Sequence, residues 1–226
     1  MTTDELVDEV YLEWGESSTN SIVSPSQITA LLNKAQRLLC LEGQILLSCA
    51  KTSTVAAQET YNLPSDYLKI ECVFIEGRIE PLRPIDVTWR DGTSRQGTPD
   101  RYWIWGSNVN GANQYVIGLN DVPSTNGSND LEVFYRQLPQ KMVHSVDGTP
   151  VAPEAIQPWQ DAMVDYALML IYRRLGNDFK AYYDGQVALW ADWKRKAAQY
   201  VNPLTNDFPL QRKDTGLYLI EDWLSP

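Results

Sequence analysis

The chain has 226 residues, 43% hydrophobic and 21% charged, which suits one ordinary folded domain or two small ones and excludes wholesale disorder. Nineteen Lys and Arg against 29 Asp and Glu give a net charge of -10, the wrong sign for a protein that grips nucleic-acid phosphates. No apolar run approaches the roughly 20 residues that span a bilayer, no basic leader opens the chain, and Cys40, Cys49 and Cys72 make no C-x-x-C pair. These features predict a cytoplasmic protein with no membrane contact, disulfide, metal or cofactor.

All six charges ahead of Lys34 are acidic, so the amino end forms an electrostatic region of its own. Within it Leu6, Val7, Val10, Tyr11 and Trp14 recur at helical spacing, which predicts a short amphipathic helix ended by Gly15. Ser24-Pro25-Ser26-Gln27 is a second start signal, because Ser24 can accept from the third helical N–H, Pro25 suits the first turn and Gln27 can answer back. A helix near 25–42 follows, with Ile28, Leu31, Leu32, Ala35, Leu38 and Leu39 as its stripe and Gly43 placed to end it.

From 45 to 138 the helical period gives way to β-branched and aromatic residues between Gly, Pro, Asn and Asp. Strands are expected at 59–63, 67–76, 79–82, 101–105, 114–119 and 131–137. Asn110-Gly111 and Asn126-Gly127 read as tight turns, since both residue types reach positive φ at least cost. After 139–153 the helical period returns with Ile156, Trp159, Met163, Tyr166, Ala167 and Leu170. Gly176 is placed to close that helix, Asn177 or Asp178 to cap the next, and Pro203 to stop it. The remaining stretch, 204–226, is too apolar for a solvated linker and too short for a core of its own.

The fold expected is α+β. A helical bundle body, made from the helix near 25–42 and an antiparallel helix pair near 154–201, carries an inserted antiparallel β domain and an extended C-terminal tail. The boundaries are 1–44 for the N-terminal helices, 45–138 for the β domain, 139–202 for the helix pair and 203–226 for a docking tail.

No catalytic constellation stands out. His144, the single histidine, sits in a polar segment and reads as an exposed loop residue. Asp161 and Asp165 share a helix face and could hold a metal or work as an acid/base pair, but acidic side chains in an opening turn complement the helix dipole without any function. Tyr102-Trp103-Ile104-Trp105 puts large side chains on both faces of one strand. A sugar-stacking platform, a protein interface and a strand buried on both sides all remain open.

Taken in order, the acidic start, the capped helix, Tyr61-Asn62-Leu63-Pro64-Ser65-Asp66 leading into a strand, Gly97-Thr98-Pro99 before an aromatic strand, Leu131-Glu132-Val133-Phe134-Tyr135-Arg136 before a proline loop, and Ala152-Pro153-Glu154 ahead of a Tyr- and Ala-rich helix resemble the head-to-tail adaptor proteins of tailed bacteriophages, especially the short-tailed kind. The resemblance covers roughly residues 24–202. It implies a structural virion protein, not an enzyme, that is assembled in the host cytoplasm and sits at the head-tail junction. Such a protein forms a ring, usually of twelve copies, between the portal protein and the tail nozzle or next connector ring, and double-stranded DNA passes through without specific binding. On this chain the resemblance implies a portal-binding tail anchored by Phe208, Leu210, Leu217, Tyr218 and Trp223, and loops at Asn110, Gly111, Asn126 and Gly127 that face the tail. The surplus aromatics Trp103, Trp105, Trp190 and Trp193 are the expected subunit interface. A twelvefold ring would carry about -120, which suits a conduit that does not hold its DNA. Two other readings stay open: a receptor- or carbohydrate-binding β module that uses Trp103 and Trp105, and a cell-wall hydrolase, for which no carboxylate pair stands out.

Overall fold

A computed structural model describes residues 1–16, 21–89, 95–109, 112–155, 157 and 159–205. The helices are α1 (Thr3–Trp14), α2 (Pro25–Gly43), α3 (Trp159–Leu175) and α4 (Lys180–Thr205). The strands are β1 (Leu47–Thr52), β2 (Thr60–Asn62), β3 (Tyr67–Ile75), β4 (Arg83–Pro84), β5 (Gln96–Gly97), β6 (Arg101–Val109), β7 (Ala112–Asn120), β8 (Val122–Pro123) and β9 (Leu131–Gln137). The protein is α+β, and its described residues divide into two compact units: Met1–Leu47 with 137–205, and Ser48–Arg136.

In the helical unit both amino-terminal helices start on a capping box. Thr2 and Glu5 close the first, and Ser24 and Gln27 the second, with Gln27 N–H donating to Ser24 Oγ at 3.3 Å and Ser24 N–H to Gln27 Oε1 at 3.0 Å. Gly15 takes the left-handed position after α1 at φ 77°, as expected. After α2 that position falls to Gln44 at φ 50°, not to Gly43. Gly43 serves proximity instead, for a Cβ there would stand 2.6 Å from that of Ala197 on α4. The apolar stripes of α1, α2 and α3 meet in one core with Leu6, Ile28, Leu32, Met163 and Ile171 sealed from solvent. α4 adds Trp190 and Ala197 one heptad apart, with Tyr183 and Trp193 partly buried.

Three expectations for the later helices need correction. α3 begins at Trp159, later than position 154, because the preceding segment is tied to α2 and its own loop: Glu154 N–H donates to Gln36 Oε1 at 3.1 Å, and Gln140 N–H donates to the Glu154 carboxylate at 2.8 Å. Ile156 falls outside the described residues. Neither Asn177 nor Asp178 caps a helix through its side chain; Asn177–Phe179 form a 3-10 turn that leads into α4. Pro203 does not stop α4, which runs on to Thr205. A proline inside a helix forfeits one backbone hydrogen bond, and the long run of α4 ahead of Pro203 outweighs that loss.

In the β unit, one sheet has the order β1-β9-β3 and another the order β2-β7-β6-β4, with β5 and β8 as a short parallel pair. β6 and β7 form a long antiparallel ladder from Arg101↔Asn120 to Val109↔Ala112. Side chains of both larger sheets share a core of Tyr61, Leu63, Val73, Ile75, Tyr102, Ile117, Leu119, Leu131, Val133 and Tyr135. The expected strand at 79–82 is absent: the chain turns at Gly77 (φ 86°), Leu82 is buried with its N–H donating to Val73 O at 2.7 Å, and pairing starts only at Arg83. β1 is an addition to the expected strands, since Ser48-Cys49-Ala50-Lys51-Thr52 carries little β-branched or aromatic weight.

Candidate interaction surfaces

The β6 aromatics divide by burial. Tyr102 lies in the β core and Trp103, on the other face, is 4% exposed, whereas Trp105 is 53% exposed. Gly118 pairs with Trp103 across the ladder, and a Cβ there would lie 2.0 Å from the indole, so the ring lies flat over a glycine. Tyr102 and Trp103 therefore bury both faces of β6 near its start, and of its aromatic side chains Trp105 is the one offered outward. Tyr115, across the ladder from Gly106, is 51% exposed and packs edge-on to Tyr67 at 5.4 Å.

Trp190 and Trp193 turn toward their own chain. Trp190 is 7% exposed and stands 4.6 Å from the Tyr166 ring. Trp193 meets Trp159 edge-on at 6.3 Å and donates its indole N–H to the Asp165 carboxylate at 2.7 Å. That bond gives Asp165 a structural task. Burial raises its pKa despite the Trp193 bond, and nearby Asp161 adds to the rise. Glu13 on α1 is raised as well, by burial first and then by Asp165, Glu9 and Asp161. No group of three or more His, Cys, Asp or Glu among the described residues could hold a metal ion.

His144 departs from the exposed histidine expected. It is 7% exposed, its Nδ1 accepts from Val146 N–H at 3.1 Å, and its Nε2 lies 3.4 Å from the Asp4 carboxylate. Asp4 in turn accepts from Ser145 N–H at 3.0 Å, so the loop is fastened to the start of α1. The three cysteines are free thiols, and burial pushes Cys40 and Cys72 up to about 12, far from any reactive thiolate.

Asn126 and Gly127 belong to a structured loop, but not to a positive-φ turn. Asn126 Oδ1 accepts from Ala56 N–H at 2.8 Å and Gly127 N–H donates to Thr54 O at 3.0 Å, while Asn129 holds the left-handed conformation at φ 55°. Glycine is needed at 127 for space, because a Cβ would lie 2.0 Å from the Asp130 carboxylate that accepts from Thr54. Asn110, Gly111, Phe208, Leu210, Leu217, Tyr218 and Trp223 lie outside the described residues.

Sequence reasoning assigns no surface role to several apolar side chains that the helical unit exposes, among them Leu12 on α1 at 79%, and Tyr182 and Leu189 on α4 at 62% and 48%. Their position off the buried stripe of an amphipathic helix is the signal that marks them. No helix among the described residues is long and apolar enough to cross a membrane.

No curated protein matches the chain. The family described as SU10 adaptor protein matches residues 1–214, nearly the whole chain and both units. The exposed faces just described are thus surfaces of a structural protein, and the chain belongs to the SU10 adaptor family, the head-tail adaptors of short-tailed phages and components of the virion.

Proposed function

We propose that copies of this chain assemble into a ring of twelve that joins the portal to the tail nozzle or the next connector ring and leaves a channel for DNA. Membership of the adaptor family over residues 1–214 carries this reading. In it, residues 1–44 and 139–202 form a helical bundle body, 45–138 are the inserted β domain, and 203–226 dock on the portal through Phe208, Leu210, Leu217, Tyr218 and Trp223. The loops at Asn110, Gly111, Asn126 and Gly127 face the tail. Of the four tryptophans assigned to subunit contacts, Trp105 keeps the exposure such a contact needs. The net charge of -10 per copy supports a conduit, because a strongly acidic ring repels the duplex it surrounds.

Electron microscopy of the purified chain, alone and mixed with portal rings from the same genome, tests the proposal. Portals capped by an added ring of density are the expected result. Unaltered portals, with no ring from this protein under any condition, would overturn it.

A further inference from the structure

A ring of the kind proposed above needs two different surfaces on each copy, and the interface described next rests on that reading. α1 buries Leu6, Val7, Val10 and Tyr11; its opposite face presents Glu5 and Asp8 around Leu12, which is 79% exposed. Residues 3–16 contain six carboxylates and no cation. An isolated leucine is ordinary on a surface, but one set in a field of a single sign defines a chemically distinct patch.

The turn between α3 and α4 has the opposite character. Arg173, Arg174 and Lys180 are all exposed there, and Asp178 is the only carboxylate between 171 and 183. Among the described residues none of the three cations has an ion-pair partner, whereas Lys194, Arg195 and Lys196 farther along α4 pair with Glu42 or Asp192. Beside the cations, Tyr172, Phe179 and Tyr182 build an aromatic group with ring centroids 5.4 to 6.3 Å apart, and Tyr182 is its exposed member. Leu189, seven residues beyond Tyr182, continues the same helix face.

α1 and α4 each pack against α2 and α3, so both keep an outer face, and the two outer faces carry different chemistry. Two complementary but non-identical patches on one chain can make a head-to-tail contact, the kind that closes into a ring when the rotation allows. We infer that the acidic face of α1 in one copy docks on the α3–α4 turn of the next, with Leu12 against Tyr182 and Leu189 and with Asp8 and Glu16 opposite Arg173, Arg174 and Lys180. The apolar contact supplies the centre, and the charges fix orientation and make assembly salt-sensitive.

The test compares the full-length protein with three variants by sedimentation velocity and electron microscopy, with portal rings as a second condition. Arg173→Glu with Arg174→Glu reverses the turn, Asp8→Lys with Glu16→Lys reverses α1, and a fourth protein carries both reversals. All four sites are exposed, and circular dichroism checks that each variant folds. The expected result is self-association weakened by about tenfold in each one-sided variant and restored when both sides are reversed, a pattern that general loss of stability would not give. Rings that form equally well from all four proteins would overturn this interface while leaving the ring reading intact. One-sided variants that form normal rings yet lose capture of portals would assign the patch to another protein and also overturn it. No ring from the unaltered protein, alone or on portals, would overturn both.

Discussion

The two units hold themselves together by different means. In the helical unit the polar side chains that reach inward are mostly neutral, and amides among them satisfy nearby backbone: Asn33 donates to Met142 O and accepts from Met142 N–H, and Gln36 accepts from Glu154 and Ala155 and donates to Gln140 O. These bonds hold the 140–155 segment to α2 without burying charge. In the β unit the corresponding positions are ionic. Arg136 is 2% exposed with its Nε 3.0 Å from the Glu71 carboxylate, and Glu132 is 5% exposed with Lys51 Nζ at 2.8 Å. Neutral amides tolerate truncation at the cost of a hydrogen bond or two, but a buried ion that loses its partner keeps its desolvation cost with nothing to offset it. The β unit should therefore be the more easily broken by a single substitution.

That contrast can be tested at several strengths. Arg136→Met should be the most damaging, destabilising the β unit by about 3–5 kcal/mol, with Arg136→Met plus Glu71→Gln recovering part of the loss. Hydrogen exchange read separately over 48–136 and over the helices checks this, and equal loss of protection in both units would contradict it. Gly118→Ala forces the Trp103 indole aside and should cost about 1–3 kcal/mol, with a shifted tryptophan emission; unchanged emission would mean the ring has another way to lie. Ser24→Ala removes the cap of α2 and should lower stability by about 1 kcal/mol in urea unfolding, with protection lost first in the helical unit.

The smallest effect is pH dependence in the helical unit. Glu13 and Asp165 have raised pKa values in the folded protein, so the native state holds protons that the unfolded chain releases. Their ionisation works against folding. As pH falls from neutral through the window above the ordinary carboxyl range, the helical unit should gain a few tenths of a kcal/mol. Asp165→Asn keeps an oxygen for the Trp193 indole and should flatten that part of the profile. A stability curve unchanged by this substitution would remove Asp165 from the account.

The same contrast governs how much of the fold and its surfaces is legible in the sequence. α1 and α2 are legible because caps and stripes are local: Ser24-Pro25-Ser26-Gln27 and the recurrence of Ile28, Leu32, Ala35 and Leu39 need no distant partner. β9 is legible to the residue, since it is rich in β-branched and aromatic residues and its Gln137 precedes the proline loop. β1, β5 and β8 are not, because they become strands only through partners 26 or more residues away. Burial of individual tryptophans is equally hidden. Trp103 and Trp105 are two residues apart on one face, and the difference between them lies across the ladder, where Trp103 meets Gly118 and Trp105 meets Val116. His144 misleads for a related reason: its partner, Asp4, is at the other end of the chain from its loop.

The helical core also has a consequence in time. α2 ends at Gly43 and α3 does not begin until Trp159, yet their side chains fill a single core. During synthesis at about 5–20 residues per second, Ile28, Leu31, Leu32 and Leu39 would wait roughly ten seconds for the helix that covers them. Throughout that interval the nascent chain presents an apolar stripe, flanked on its amino side by six carboxylates and no cation. Mutual repulsion of those charges would keep neighbouring nascent chains apart on one polysome, so the acidic start would protect the core before the core exists.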